Sequence, residues 1–119
     1  MAAWLLLVED DTDSREGLAE LLALSGFETV ACATASEAHA ILDSRGRPNL
    51  VLADLLMPGV TGTDFVRAMR DRSGFGDVPV VFVTGVEPSS LADVRDPVIK
   101  KPLDFDRLLG LVERHCGPG

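Results

Sequence analysis

Leu50-Val51-Leu52-Ala53-Asp54-Leu55-Leu56-Met57-Pro58-Gly59 is an apolar stretch interrupted by one carboxylate and then stopped by a proline and a glycine. Four consecutive apolar residues bounded by turn formers read as a strand buried on both faces. Such strands belong to parallel sheets covered by helices on each side. The carboxylate of Asp54 then falls at a strand end, where a loop forced by Pro58, Gly59 and Gly62 begins.

The same grammar recurs outward from this stretch. Upstream, Leu5 to Val8 is a second continuous apolar run, closed by Glu9-Asp10-Asp11. Any of Thr12, Asp13 or Ser14 can cap the helix that follows. In that helix Leu18, Leu21 and Leu22 recur at helical spacing beside Ala19 and Ala23, and Gly26 stops it. Thr29 to Ala33 reads as the next strand. Ser36 then caps a short helix carrying Ala38, Ile41 and Leu42, ended by Gly46 and Pro48. Downstream, Phe65, Val66 and Met69 give a helix its buried stripe. Val80 to Val83 is a strand between Pro79 and Thr84-Gly85, and a brief helix is expected from Ser89 or Ser90 to Val94. Val98-Ile99 is a short fifth strand. Phe105, Leu108, Leu109 and Val112 mark a last helix, ending before Gly117-Pro118-Gly119. Five strands alternating with helices pair in parallel through right-handed crossovers. The economical α/β fold is a five-stranded parallel sheet in the order 2-1-3-4-5 with helices on both faces.

The bulk properties agree with one compact domain over residues 1–119. Hydrophobic residues make up 46% of the chain, enough for a core without staples. No segment approaches the ~20 apolar residues of a membrane span. The opening run Ala2 to Val8 lacks a basic start and enters Glu9-Asp10-Asp11 directly, so it is not read as a leader, and cytoplasmic residence is the default expectation. A net charge of −8, from 19 acidic and 11 basic residues, argues against direct nucleic-acid binding and permits divalent cations or basic partners. Cys32, Cys116, His39 and His115 complete no metal-binding pattern and are read as packing or solvent-exposed residues.

Open parallel sheets bind ligands beyond the carboxyl ends of their strands, near the switch point between strands one and three. Glu9, Asp10 and Asp11 follow strand one, Asp54 strand three, Thr84 strand four, and Lys100 and Lys101 strand five. Two carboxylates at ~4 Å repel by roughly 4 kcal/mol at an effective dielectric near 20. A hard divalent cation relieves that repulsion, and oxygen-only ligands with few carboxylates favour Mg²⁺. A lysine and a threonine on the same rim complete a clamp for the oxygens of a phosphoryl group. One carboxylate is then left as nucleophile, and Asp54, alone at its strand end, is the best placed. Each piece by itself has a plainer reading: a helix cap, a solvated acidic turn, a surface lysine. Their joint occurrence at four strand ends favours a site.

Taken together, Leu6-Leu7-Val8-Glu9-Asp10-Asp11, Leu52-Ala53-Asp54-Leu55-Leu56-Met57-Pro58-Gly59 with Gly62, Val83-Thr84-Gly85 and Lys101-Pro102-Leu103 resemble the receiver domains of response regulators in two-component signalling. The resemblance spans essentially the whole chain. It implies that Asp54 accepts a phosphoryl group from a phosphohistidine on a sensor histidine kinase or a histidine phosphotransfer protein. It implies Mg²⁺ held by Asp10 directly, Glu9 beside it through water, Asp54, and the backbone carbonyl of Leu56. Lys101 would bind the phosphoryl group, Thr84 would move to hydrogen-bond it, and Pro102, often after a cis bond, would aim the lysine inward. Lys100 would point the other way, and Asp11 would cap or support. Such a domain is not an enzyme beyond promoting its own phosphorylation and dephosphorylation. It signals through a downstream protein and contacts neither nucleic acid nor membrane itself.

Three departures from the family pattern stand out. Val98 occupies the place, three before the lysine, where an aromatic residue often couples to the threonine. The interval from Thr84 to Lys101 is short and holds Pro88 and Pro97, so a shortened, irregular fourth helix is expected. Leu56 and Val86 sit two places after the aspartate and the threonine, where polar side chains can orient a hydrolytic water. We expect these apolar groups to slow loss of phosphate from Asp54. Replacing each with Asn or Glu should speed the decay; unchanged or slower decay in both variants contradicts this.

With no second domain expected, a stand-alone receiver is favoured over a module excised from a hybrid histidine kinase. Three further alternatives fit less well. A degenerate receiver used only for binding would not need the complete Asp10, Asp54, Thr84 and Lys101 set. A haloacid-dehalogenase-type phosphatase wants its Asp-x-Asp directly after strand one, whereas Asp11-Thr12-Asp13 follows Glu9-Asp10. An FMN binder wants a Ser/Thr/Gly loop where this chain has acids.

Overall fold

Alternation of side chains along each strand sorts the core into two layers. The computed structural model describes residues 3–55, 57, 59–85 and 96–117. Its elements are β1 (Trp4–Val8), α1 (Thr12–Leu24), β2 (Glu28–Cys32), α2 (Ala35–Arg45), β3 (Leu50–Asp54), α3 (Gly62–Arg70), β4 (Val80–Thr84), β5 (Val98–Lys100) and α4 (Phe105–Cys116). All pairings are parallel and the strand order is β2-β1-β3-β4-β5, as the sequence pattern requires. Trp4, Leu6, Val8, Val51, Ala53, Val80 and Phe82 pack with Ala38 and Leu42 of α2 and with Phe65, Val66 and Met69 of α3. Leu5, Leu7, Leu50, Leu52, Val81 and Ile99 pack with Leu18 and Leu22 of α1 and Leu108 and Val112 of α4. The period of two thus assigns α2 and α3 to one face and α1 and α4 to the other. β1, β3 and β4 are buried along nearly their whole length, which is why they read as unbroken apolar runs.

Helix starts are where the sequence pattern needed correction. The cap of α1 is Asp11, whose carboxylate accepts from Ser14 N, and not Thr12, Asp13 or Ser14. The cap of α2 is Thr34, two residues before Ser36; its hydroxyl accepts from Glu37 N, and the Glu37 carboxylate accepts in turn from Ala33 N. Both capping residues hold extended backbone angles, the condition a cap must meet. The expected helix within residues 89–94 lies outside the described residues.

Arg70, at the end of α3, grips Asp96 through two bonds of 3.0 and 2.8 Å and also donates to Val78 O at 2.8 Å. This ties α3 to the entry of β5. Cys32 is buried, and burial pushes its thiol up to about 12, so it stays protonated and unreactive. No helix among the described residues is long and apolar enough to cross a membrane.

Gly62 opens α3 directly against the end of β3, its N–H donating to Leu55 O at 2.8 Å. A Cβ at Gly62 would stand 2.2 Å from Asp54 O, so even alanine must displace backbone. Gly62→Ala should therefore cost about 1 to 3 kcal/mol, the range for forced overpacking. Chemical denaturation checks this, and a loss below about 0.5 kcal/mol, the surface-substitution level, would contradict it.

Candidate functional site

Strand register brings the predicted acids together. Val8 of β1 pairs with Ala53 of β3, so the next residues, Glu9 and Asp54, end adjacent strands. Glu9 follows Leu5 and Leu7 in the alternation, Asp54 follows Leu50 and Leu52, and Lys101 follows Ile99. All three therefore project on the α1/α4 side of the sheet. Glu9 N donates to Cys32 O at 3.0 Å, which extends the sheet by one rung and pins the first acid. Lys100 falls on the opposite phase and is exposed.

Carboxylate oxygens of Glu9, Asp10 and Asp54 lie within 4.8 Å of one another. Lys101 Nζ donates to Glu9 Oε1 at 2.6 Å and to Asp54 Oδ2 at 3.3 Å. Glu9 is almost wholly buried, Asp54 largely so, and Asp10 is exposed. Burial raises the Glu9 carboxyl above its ordinary value; the Lys101 hydrogen bond works against this and the Asp54 carboxylate adds to it. Burial disfavours the Lys101 ammonium, but the Glu9 hydrogen bond and the charge of Asp54 outweigh it, so Lys101 is raised and cationic. Thr84 is fully buried at the end of β4, and its carbonyl accepts from Lys101 N at 2.6 Å. The Lys101–Pro102 peptide is cis.

Three carboxylates face one ammonium, which leaves two negative charges if all are ionised. The donors are hard oxygens on two backbone segments, and Asp10 is open to solvent. This set fits a divalent cation such as Mg²⁺. Leu56, the expected carbonyl ligand, lies outside the described residues, as do Pro58 and the stretch 86–95 with Val86 and Pro88.

A groove of about 310 Å³ adjoins Asp54, lined by Leu18 and Leu21 of α1 and by Pro102 and Leu103 among others. Leu21 is exposed along it. The strand-end pattern did not reveal this groove, because it is formed where α1 meets the turn after β5. Asp11 is committed to its cap and Asp13 to the exposed first turn of α1. The Asp11-Thr12-Asp13 run therefore offers no strand-end nucleophile of the phosphatase type.

A five-stranded parallel sheet with a buried acid, a second acid and a lysine around one strand-end aspartate defines an acidic α/β pocket of the signalling-receiver class. Residues 5–113 match the model of the response regulator receiver domain, and the chain belongs to that family. It is 30% identical to the phosphate regulon transcriptional regulatory protein PhoB of Pseudomonas aeruginosa, across 97% of this chain and 53% of PhoB. The chain thus spans about half the length of that relative, and a quarter of the response regulator protein FleR, to which it is 37% identical over 98% of its own length. A response regulator receiver protein from Pseudomonas putida superposes with a TM-score of 0.85 at 29% identity, covering 96% of this chain and 98% of that one.

Proposed function

We propose that Asp54 accepts a phosphoryl group from a phosphohistidine of a sensor histidine kinase or histidine phosphotransfer protein, in a Mg²⁺-dependent reaction. The observation that carries this reading is the gathering of Glu9, Asp10 and Asp54 within 4.8 Å around the Lys101 ammonium. It is supported by a fold relative, the receiver domain of sensor histidine kinase PA1611 from Pseudomonas aeruginosa, whose structure has a magnesium ion coordinated in the active site cleft.

In this reading an Asp54 carboxylate oxygen attacks phosphorus, the N–P bond breaks, and its electron pair leaves with the imidazole. Asp10 and Asp54 would hold Mg²⁺, with Glu9 beside them, and the family resemblance adds the Leu56 carbonyl. When bound, the ion would supply positive charge at the acceptor carboxylate. Lys101 follows the charge from the Asp54 carboxylate to a phosphoryl oxygen, and the Thr84 hydroxyl engages another. The domain turns over no separate substrate. The receiver acts through a protein target.

Incubation with acetyl phosphate, with Mg²⁺ or with excess chelator, tests the chemistry by intact mass. One added phosphoryl group with Mg²⁺ and none with chelator is expected. No mass gain under Mg²⁺ overturns the reading.

A further inference from the structure

Arg15 is the fourth residue of α1, close to the helix N-terminus, where the helix dipole disfavours a cation. Five acids, Glu9, Asp10, Asp11, Asp13 and Glu16, stand nearby in sequence, yet among the described residues Arg15 makes no ion pair. Its guanidinium turns back along the chain instead. Nη1 donates to Glu9 O at 3.0 Å and to Asp10 O at 3.4 Å, and Nη2 reaches Thr12 Oγ1 at 3.5 Å. Both carbonyls belong to residues that supply carboxylates to the acidic pocket.

The two acids are held very differently. The Glu9 side chain is buried against Lys101, and its other oxygen accepts from Asp11 N at 3.3 Å. The Asp10 carboxylate is exposed and hydrogen-bonds no described residue. Only its backbone can set where it points. The peptide groups on either side of Asp10 are those whose carbonyls Arg15 Nη1 engages.

We propose that Arg15 is a positioning residue for the cation pocket: its Nη1 group, with Nη2 anchored at Thr12, fixes the Glu9 and Asp10 carbonyls and so presets the aim of Asp10 toward the ion. This rests on reading Glu9, Asp10 and Asp54 as the Mg²⁺ pocket. Arg15 has two opposed effects on a bound cation. Its charge repels the ion through space, while its hydrogen bonds order a ligand. The planar guanidinium lets Nη1 span both carbonyls while Nη2 reaches Thr12 Oγ1, an arrangement that the single nitrogen of lysine does not reproduce. Hydrogen bonding and charge are therefore separable.

Calorimetric titration with MgCl₂ on the whole chain, comparing wild type, Arg15→Lys and Arg15→Ala, decides between them. Loss of an outer partner of a metal ligand weakens binding by roughly tenfold or more. We expect a weakening of that order in both variants, with metal-free melting midpoints unchanged. Backbone amides of residues 9–11 should exchange faster in both variants, while those of β4 stay protected. If charge is the whole effect, Arg15→Lys binds like wild type and Arg15→Ala binds more tightly, and the proposal fails. It fails as well if weakening appears only with collapse of the metal-free melting transition. Wild type that binds no Mg²⁺ overturns the pocket reading and this proposal together. Wild type that binds, with variants that match it, overturns this proposal alone.

Discussion

Asp54→Asn should take up no phosphoryl group from acetyl phosphate or a phosphohistidine donor, and its metal-free form should be more stable than wild type. The first effect follows from chemistry. An amide oxygen is a poor nucleophile, and no other described carboxylate ends β3. The second follows from charge. Asp54 stands within 4.8 Å of Glu9 and Asp10, with one lysine to offset three carboxylates. Full Coulomb repulsion at ~4 Å and an effective dielectric of 20 is about 4 kcal/mol. Lys101 already offsets much of this and also loses a partner in the variant, so the expected gain is about 1 kcal/mol. Mg²⁺ should stabilise wild type more than the variant, since it binds the folded state through the lost carboxylate. Intact mass and urea titrations with and without Mg²⁺ check both halves. A variant that is phosphorylated, or that is less stable without metal, contradicts the argument.

Lys101→Ala should have the opposite effect on stability. It strips the ammonium from Glu9 at 2.6 Å and from Asp54 at 3.3 Å and leaves both carboxylates without that counter-charge. Breaking a fully buried pair costs about 3 to 5 kcal/mol, and the partial exposure of Lys101 lowers the expectation to roughly 2 kcal/mol. The deficit depends on pH. The folded-state value of Glu9 is already raised, chiefly by burial, and losing the opposing Lys101 bond raises it further. A raised carboxyl stabilises the fold as it takes up its proton, and that contribution is lost as pH rises through the folded-state value. The deficit should therefore shrink on acidification towards the ordinary value of 4.5. At the alkaline end, the contribution of Lys101 in wild type is present below 10.5 and lost as pH rises through its raised value. Phosphoryl uptake should fall by about a hundredfold, the scale of losing one preorganised donor to a developing anion. Melting at several pH values and uptake kinetics test this. A deficit independent of pH would contradict it.

Much of this architecture was legible from residue type and spacing. Leu5 to Val8, Leu50 to Ala53 and Val80 to Val83 are too apolar and too short to be anything but doubly covered strands, and their order fixed which ends would meet. The rule that parallel strands gather polar residues at their carboxyl ends then placed Glu9, Asp54 and Lys101 together. Cap identity was less legible, because Asp11 and Thr34 cap by virtue of extended backbone angles that neighbouring Thr, Asp and Ser residues do not announce. Burial of Glu9 was hidden too, since adjacent acids look alike until the register shows which continues the sheet. Gly62 reads as an ordinary loop glycine until the 2.2 Å approach to Asp54 O is measured. Arg15 gave no sign, because its Nη1 partners are carbonyls and carbonyls have no signature in a sequence.

The bond from Lys101 N to Thr84 O makes one rung of the two strand ends that carry the hydroxyl and the ammonium. A shift of the Thr84 backbone is therefore expected to carry Lys101 with it, without any ring having to swing. The end of β4 and the start of the turn after β5 are yoked by that bond, the link through which a load on one arm would reach the other.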